Sequence, residues 1–73
     1  MNRLKELREK ALLTQADLSD KTGLRAATIC KIETGKANPH FATRRRIARA
    51  LRVKVDDIWG NGADEADGHK EAK

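Results

Sequence analysis

Apolar residues recur at intervals of three and four along residues 4–59, the spacing that places side chains on one face of an α-helix. Leu4, Leu7 and Ala11 form such a stripe, and we expect Leu12 and Leu13 to close this first helix. The pattern further predicts helices over residues 15–22, 26–34 and 41–51, and a short fifth helix that ends near Trp59.

Local signals mark the ends of these helices. We expect the Thr14 hydroxyl to accept a hydrogen bond from the amide of Ala16 or Asp17, and Gly23 and Gly35 to end the second and third helices. The spacing assigns inward positions to the second, third and fourth helices: Ala16, Leu18 and Ser19; Ile29 and Ile32; Phe41, Ile47, Ala48 and Leu51.

The chain therefore has the pattern of a single all-α domain over residues 1–59. Residues 60–73 contain no apolar residue larger than Ala and cannot bury a face. We predict a disordered polar tail for this segment.

Composition narrows the classes of protein. A chain of 73 residues has room for one small core, and a single cysteine, Cys30, excludes an intramolecular disulfide framework. The two histidines lack the spacing of a zinc site, so we expect no metal and no cofactor. The sequence offers no effector domain in which a small-molecule inducer could bind, so we expect no such ligand. There is no apolar run of 18 residues and no secretory signal pattern, which favours a soluble, cytoplasmic protein that does not interact with membranes.

Charge gives the first indication of a partner. Residues 1–59 hold 14 basic and 7 acidic side chains, whereas residues 60–73 hold 2 basic and 4 acidic side chains. A basic domain attracts polyanions, of which nucleic acid is the usual one. Arg45, Arg49 and Arg52 share one helix face, which we interpret as a solvated basic surface.

The second and third helices carry the functional signal. The turn between them is too short for an antiparallel pair, so the helices must cross steeply, with Ser19 small at the crossing and Gly23 free to turn. Once Ile29 and Ile32 face inward, the third helix presents Ala26, Ala27, Cys30, Lys31 and Thr34 outward. An exposed helix braced by another helix fits the major groove of DNA.

The motifs TQxxL, TGL, ATIxxIExGKxNP and IAxAL occur in this order between Leu13 and Trp59. With these motifs the chain resembles the helix-turn-helix domains of the Cro and cI repressor family over about residues 3–59. The resemblance implies the compact five-helix fold of the lambda repressor DNA-binding domain, with the helix-turn-helix at helices 2 and 3.

The resemblance also implies roles for individual residues. Base contacts are expected from the outward positions of the third helix: Arg25, Ala26, Ala27 and Lys31. Phosphate contacts are expected from Gln15 at the start of the second helix and from the following loop: Thr34, Lys36, Asn38 and His40. Arg8 and Glu33 match a structural ion pair that joins the first helix to the third.

Some positions depart from the family pattern. Ala26 and Ala27 offer a base only apolar contact, for example with a thymine methyl group. We expect Arg44, on the inward stripe of the fourth helix, to extend past Phe41 to a DNA phosphate. Arg52 replaces the usual glycine after this helix, which should strain the turn.

These observations lead to the hypothesis of a sequence-specific transcriptional regulator, a repressor that binds a palindromic operator in double-stranded DNA as a homodimer. The alternative is an antitoxin or anti-repressor that acts through a protein partner such as a toxin. Val55, Ile58 and Trp59 fit either the core or a dimer contact. No set of residues suggests an enzyme.

Overall fold

The computed structural model describes residues 2–60, which form five α-helices. The helices are α1 (Leu4–Lys10), α2 (Gln15–Thr22), α3 (Ala26–Glu33), α4 (Phe41–Leu51) and α5 (Val55–Trp59). No strand occurs within residues 2–60, so the predicted all-α class is confirmed. Apart from Gly60, the predicted tail lies outside the described residues.

All five helices contribute to one core. α2 packs against α3 and α4, α4 also contacts α5, and α1 contacts both α3 and α5. Burial of one large aliphatic side chain contributes roughly 1.5–3 kcal/mol, and six such side chains are fully enclosed. The apolar residues buried in this core are Leu4, Leu18, Ile29, Ile32, Ile47, Ala48, Leu51, Val55 and Ile58.

The predicted start and end of α2 are confirmed. Thr14 Oγ1 accepts a hydrogen bond from the Asp17 amide, and the Asp17 carboxylate accepts one from the Thr14 amide, each at 2.9 Å. This reciprocal pair satisfies two backbone donors at the helix N-terminus. Gly23 ends the helix with φ +78°, in the left-handed region where glycine meets no steric penalty.

The end of α1 differs from the prediction. The helix stops at Lys10, Ala11 is exposed, and Leu12 adopts φ +61° with 89% of its surface exposed. The amides of Leu12 and Leu13 donate to the carbonyls of Glu9 and Arg8 at 2.9 and 3.1 Å, which is a Schellman motif with leucine in the left-handed position. This turn exposes Leu12 and directs Leu13 toward the core.

Two inward assignments are also wrong. Ala16 is exposed because it lies two residues, or about 200° around the helix, from the buried Leu18. Thr22 is buried in its place, and its hydroxyl donates to the Leu18 carbonyl at 2.8 Å. Phe41, which the sequence placed in the core, is only half-buried.

The two ends of the domain lie side by side. The amide of Arg3 donates to the carbonyl of Ile58 at 2.8 Å. Asn2 accepts a hydrogen bond from the Leu4 amide and donates one to the carbonyl of Ile32 at 2.8 Å. The segment before α1 is thereby fixed to both α5 and α3.

Candidate nucleic-acid interface

The packing of α2 against α3 positions the candidate DNA-binding surface. Ser19 is half-buried, and its hydroxyl donates to the carbonyl of Leu24 in the turn. Ile29 and Ile32 are 0% and 1% exposed, so the inner face of α3 is fixed to the core. Because this face is fully buried, the opposite face of α3 is held in one orientation toward solvent.

The outer face of α3 is small and partly apolar. Ala26, Ala27, Cys30 and Lys31 are all exposed, as the helical spacing predicts. Arg25 is exposed at the N-cap position, and its side chain makes no capping hydrogen bond. The surface therefore consists of short side chains flanked by a cation near each end of the helix.

A buried ion pair supports this helix from behind. Arg8 donates through Nε to Glu33 Oε2 at 2.5 Å and through Nη2 to Oε1 at 3.3 Å, and its Nη1 donates to the Leu13 carbonyl at 2.8 Å. The two charged side chains are 9% and 3% exposed. The hydrogen bond that Arg8 donates to Glu33 raises the pKa of Arg8 above its ordinary value against the lowering effect of burial, so Arg8 is charged.

Gln15 is connected to the same ion pair. Its Nε2 donates to Glu33 Oε1 at 3.0 Å, which fixes the side-chain amide at the start of α2. The sequence assigned Gln15 to DNA phosphate but did not indicate this contact, because no local spacing rule relates residues 18 positions apart. Glu33 thus couples α1, the N-terminus of α2 and the C-terminus of α3.

The first part of the loop after α3 is anchored to the end of that helix, and most of its side chains are exposed. The amides of Lys36 and Ala37 donate to the Lys31 carbonyl at 2.8 and 3.2 Å, and Ala37 packs against the core. The Thr34 hydroxyl donates to the Cys30 carbonyl at 3.0 Å. The side chains that the sequence assigns to phosphate contacts are exposed here: Thr34, Lys36, Asn38 and His40.

Arg44 takes a different path from the one the sequence suggested. Its Nε donates to the Pro39 carbonyl at 3.1 Å, and its guanidinium lies 5.3 Å from the centre of the Trp59 ring. Arg45, rather than Arg44, lies over Phe41, at 5.7 Å from the ring centre. Arg44 therefore joins α5 to the start of α4, because the half-buried Trp59 attracts the cation.

Two of the three apolar residues that the sequence singled out in α5 are buried. Val55 and Ile58 are 6% and 1% exposed and belong to the core of the single chain. Their role in a dimer contact stays a prediction. Trp59 is half-buried against the core and keeps an exposed part.

No group of three His, Cys, Asp or Glu side chains within residues 2–60 has an arrangement that would hold a metal ion. None of the helices over the same residues has the length and apolar content needed to span a membrane.

Residues 2–60 form five helices in which α2 packs against α3 after a short turn and the outer face of α3 is exposed, an arrangement that defines a helix-turn-helix domain. Comparison with known proteins agrees with this class. The sequence profile of the family described as "Helix-turn-helix" matches residues 4–58. The chain therefore belongs to the Cro/cI-type helix-turn-helix family.

The chain is also similar to curated proteins of archaea and a phage. A protein of Archaeoglobus fulgidus named "Uncharacterized HTH-type transcriptional regulator" is 40% identical over 78% of this chain and 80% of its own length. A protein of Methanocaldococcus jannaschii with the same descriptive name is 41% identical over 88% of this chain and 97% of its own length. The "Immunity repressor protein" of Bacillus phage phi105 is 34% identical over 80% of this chain, but the match spans only 40% of that repressor.

Proposed function

We propose that this chain is a sequence-specific DNA-binding transcriptional regulator, a repressor that binds a palindromic operator as a homodimer in the cytoplasm. The observation that carries the proposal is the α3 surface, exposed on one side and fixed to the core on the other. Its eight residues span about 12 Å, and the major groove is about 12 Å wide.

The side chains on this surface suggest the division of roles. Arg25 and Lys31 carry donors suited to guanine, and Ala26 and Ala27 suit the methyl group of thymine. Lys36 and Asn38 on the exposed loop, with Gln15 at the start of α2, suit phosphate oxygens. We assign Arg44 a different role, since its guanidinium already contacts Trp59 and Pro39.

The homodimer follows from the small size of the base-reading surface. One α3 helix reaches only a few base pairs, which is insufficient to select a site in a genome. Two copies related by a twofold axis place their α3 helices about 34 Å apart and read both halves of a palindrome. The names of the archaeal and phage relatives support a role in transcription, and that of the phage relative supports repression.

Selection of duplexes from a random pool, followed by fluorescence anisotropy at two salt concentrations, tests the proposal. We expect a palindrome bound at least about a thousandfold more tightly than scrambled DNA. Lys31→Ala should weaken binding to the selected site by about 1–3 kcal/mol and affect scrambled DNA little. Lys36→Ala should weaken both and reduce the salt slope by about one unit.

Lys10→Ala is the matched control, because Lys10 is an exposed lysine on α1. It should leave both affinities unchanged. Selection that enriches no sequence would contradict the proposal and direct attention to the antitoxin or anti-repressor alternative. That alternative has less support from the structure, since Val55 and Ile58 of α5 are buried in the core.

A further inference from the structure

The positive charge of the domain is concentrated away from the candidate DNA-reading helix. Residues 14–40, which include α2, α3 and the following loop, hold four basic and three acidic side chains. Residues 41–54, which include α4, hold six basic side chains and no acidic one. Most of the net charge of the folded domain therefore comes from α4 and the turn after it.

Three of these arginines form one surface, which we call the arginine face of α4: Arg45, Arg49 and Arg52. Arg45 and Arg49 lie four positions apart on one side of α4, Arg52 follows the last helical residue as its C-cap with φ +58°, and all three are exposed. Within residues 2–60 none of them forms an ion pair with a carboxylate. Arg45 is ordered by the Phe41 ring beneath its guanidinium.

The arginine face is separate from the outer face of α3. α4 packs against α2 and α5, whereas α3 packs against α2 and α1, so α2 lies between α3 and α4. Ile47, Ala48 and Leu51 turn the other side of α4 into the core. A duplex bound along α3 therefore leaves the arginine face open to solvent.

We propose that the arginine face of α4 is a second phosphate-binding surface, which holds the backbone of another segment of duplex DNA. The distance along the axis from Arg45 to Arg52 is about 10 Å. One DNA strand carries a phosphate every 3.4 Å of its axis, so a surface of this length covers about three phosphate steps. Guanidinium forks bind phosphate oxygens through two parallel hydrogen bonds.

A protein partner fits this surface less well. Tight protein interfaces depend on apolar or aromatic anchors that fill pockets on the partner. Among the described residues, Leu12 is the large hydrophobic side chain that is exposed, and it lies in the turn after α1 and not on the arginine face. The arginine face offers repeated positive charge without such an anchor, which suits a regular polyanion.

The test measures the salt dependence of binding to a random-sequence 16-base-pair duplex by fluorescence anisotropy, using the full chain. Arg49→Gln/Arg52→Gln removes two charges from the arginine face and leaves the core contacts intact. Lys5→Gln/Lys10→Gln removes two exposed charges from α1 as a matched control. Lys31→Gln/Lys36→Gln removes two charges from the proposed DNA-reading surface.

We expect the arginine variant to lower the slope of log affinity against log salt by about 2 and to weaken binding by about tenfold or more near 0.1 M salt. The α1 control should match the wild type. A slope equal to the wild-type slope in the arginine variant would overturn the proposal. The Lys31/Lys36 variant tests the proposed function independently, because its effect does not involve α4.

Capture of a second duplex tests whether both surfaces act together. Protein bound to an immobilised duplex should retain a second, fluorescent duplex, and Arg49→Gln/Arg52→Gln should reduce this capture several-fold. If a dimer instead bridges the two duplexes through its two α3 helices, the Lys31/Lys36 variant will lose capture and the arginine variant will keep it. That result would overturn the proposal. Binding of poly-glutamate, but not of DNA, through Arg49 and Arg52 would also overturn it and indicate an acidic protein partner.

Discussion

The buried pair of Arg8 and Glu33 predicts an uneven response to mutation. The two side chains are 9% and 3% exposed, so removal of either partner leaves the other charge in the protein interior. The loss of stability for such a stranded charge is about 3–5 kcal/mol. A folded domain of this size has a free energy of unfolding of about 3–9 kcal/mol. Arg8→Met or Glu33→Leu alone should therefore remove most of its stability.

Replacement of both residues should be much milder. Arg8→Met/Glu33→Leu leaves no buried charge, and the exchange of a buried pair for apolar side chains is often neutral or stabilising. The double variant still loses the Glu33 acceptor of Gln15 and the Arg8 donor of the Leu13 carbonyl. Each lost hydrogen bond is worth about 1 kcal/mol, so we expect a net loss of about 1–2 kcal/mol.

Urea unfolding monitored by the fluorescence of Trp59, the single tryptophan, measures all four proteins of this cycle. An osmolyte such as sucrose keeps the single variants folded enough to give a baseline. Arg3→Met is the control, because the Arg3–Glu6 pair is exposed and its loss should leave the midpoint nearly unchanged. Losses below about 1 kcal/mol in both single variants would refute the reasoning, since that result is typical of a solvated pair.

Three further predictions concern the turn after α1, the cap of α2 and the Arg44 contact. Leu12→Gly should stabilise the domain by about 0.5–1 kcal/mol in urea unfolding, because glycine adopts φ +61° without strain, whereas Ala11→Gly beside it at φ −82° should destabilise it. The hydrogen bonds from Thr14 hold the pKa of Asp17 below its ordinary value. Ionised Asp17 therefore stabilises the fold at pH values above its pKa in the unfolded chain. This contribution is lost as the pH falls through the lower pKa of the folded state. Asp17→Asn should therefore flatten the dependence of the unfolding midpoint on pH below about 4, and an unchanged dependence would contradict the cap geometry. Arg44→Met should change Trp59 fluorescence and leave the salt slope of DNA binding unaltered, whereas a slope reduced by about one unit would show that Arg44 contacts phosphate.

The sequence was sufficient where local chemistry determines the structure. The bounds of α2 and α4 follow from the apolar spacing together with the Thr14 cap, Gly23 and Pro39. The exposed positions of α3 follow from helix geometry once Ile29 and Ile32 are placed inside. These features depend on residues within a few positions of one another.

The remaining features depend on contacts between distant residues. Leu12 and Leu13 are equally apolar, and the packing of Leu13 against the core determines that Leu12 is the exposed one. Val55 and Ile58 form the apolar stripe of a short helix, and such a stripe suits a core and an interface equally until the surrounding helices are known. The path of Arg44 depends on the position of Trp59, which is 15 residues away in the chain.

The hydrogen bond between the Arg3 amide and the Ile58 carbonyl has a topological consequence. Both ends of the five-helix unit leave it at the same point, so another polypeptide can continue from either end without rearranging the core. Joining these ends with a short linker and opening the chain at an exposed turn should yield a circular permutant with the same core. The match to the phage repressor spans only 40% of that protein's length. A five-helix unit with adjacent ends is suited to form one domain of such a longer chain.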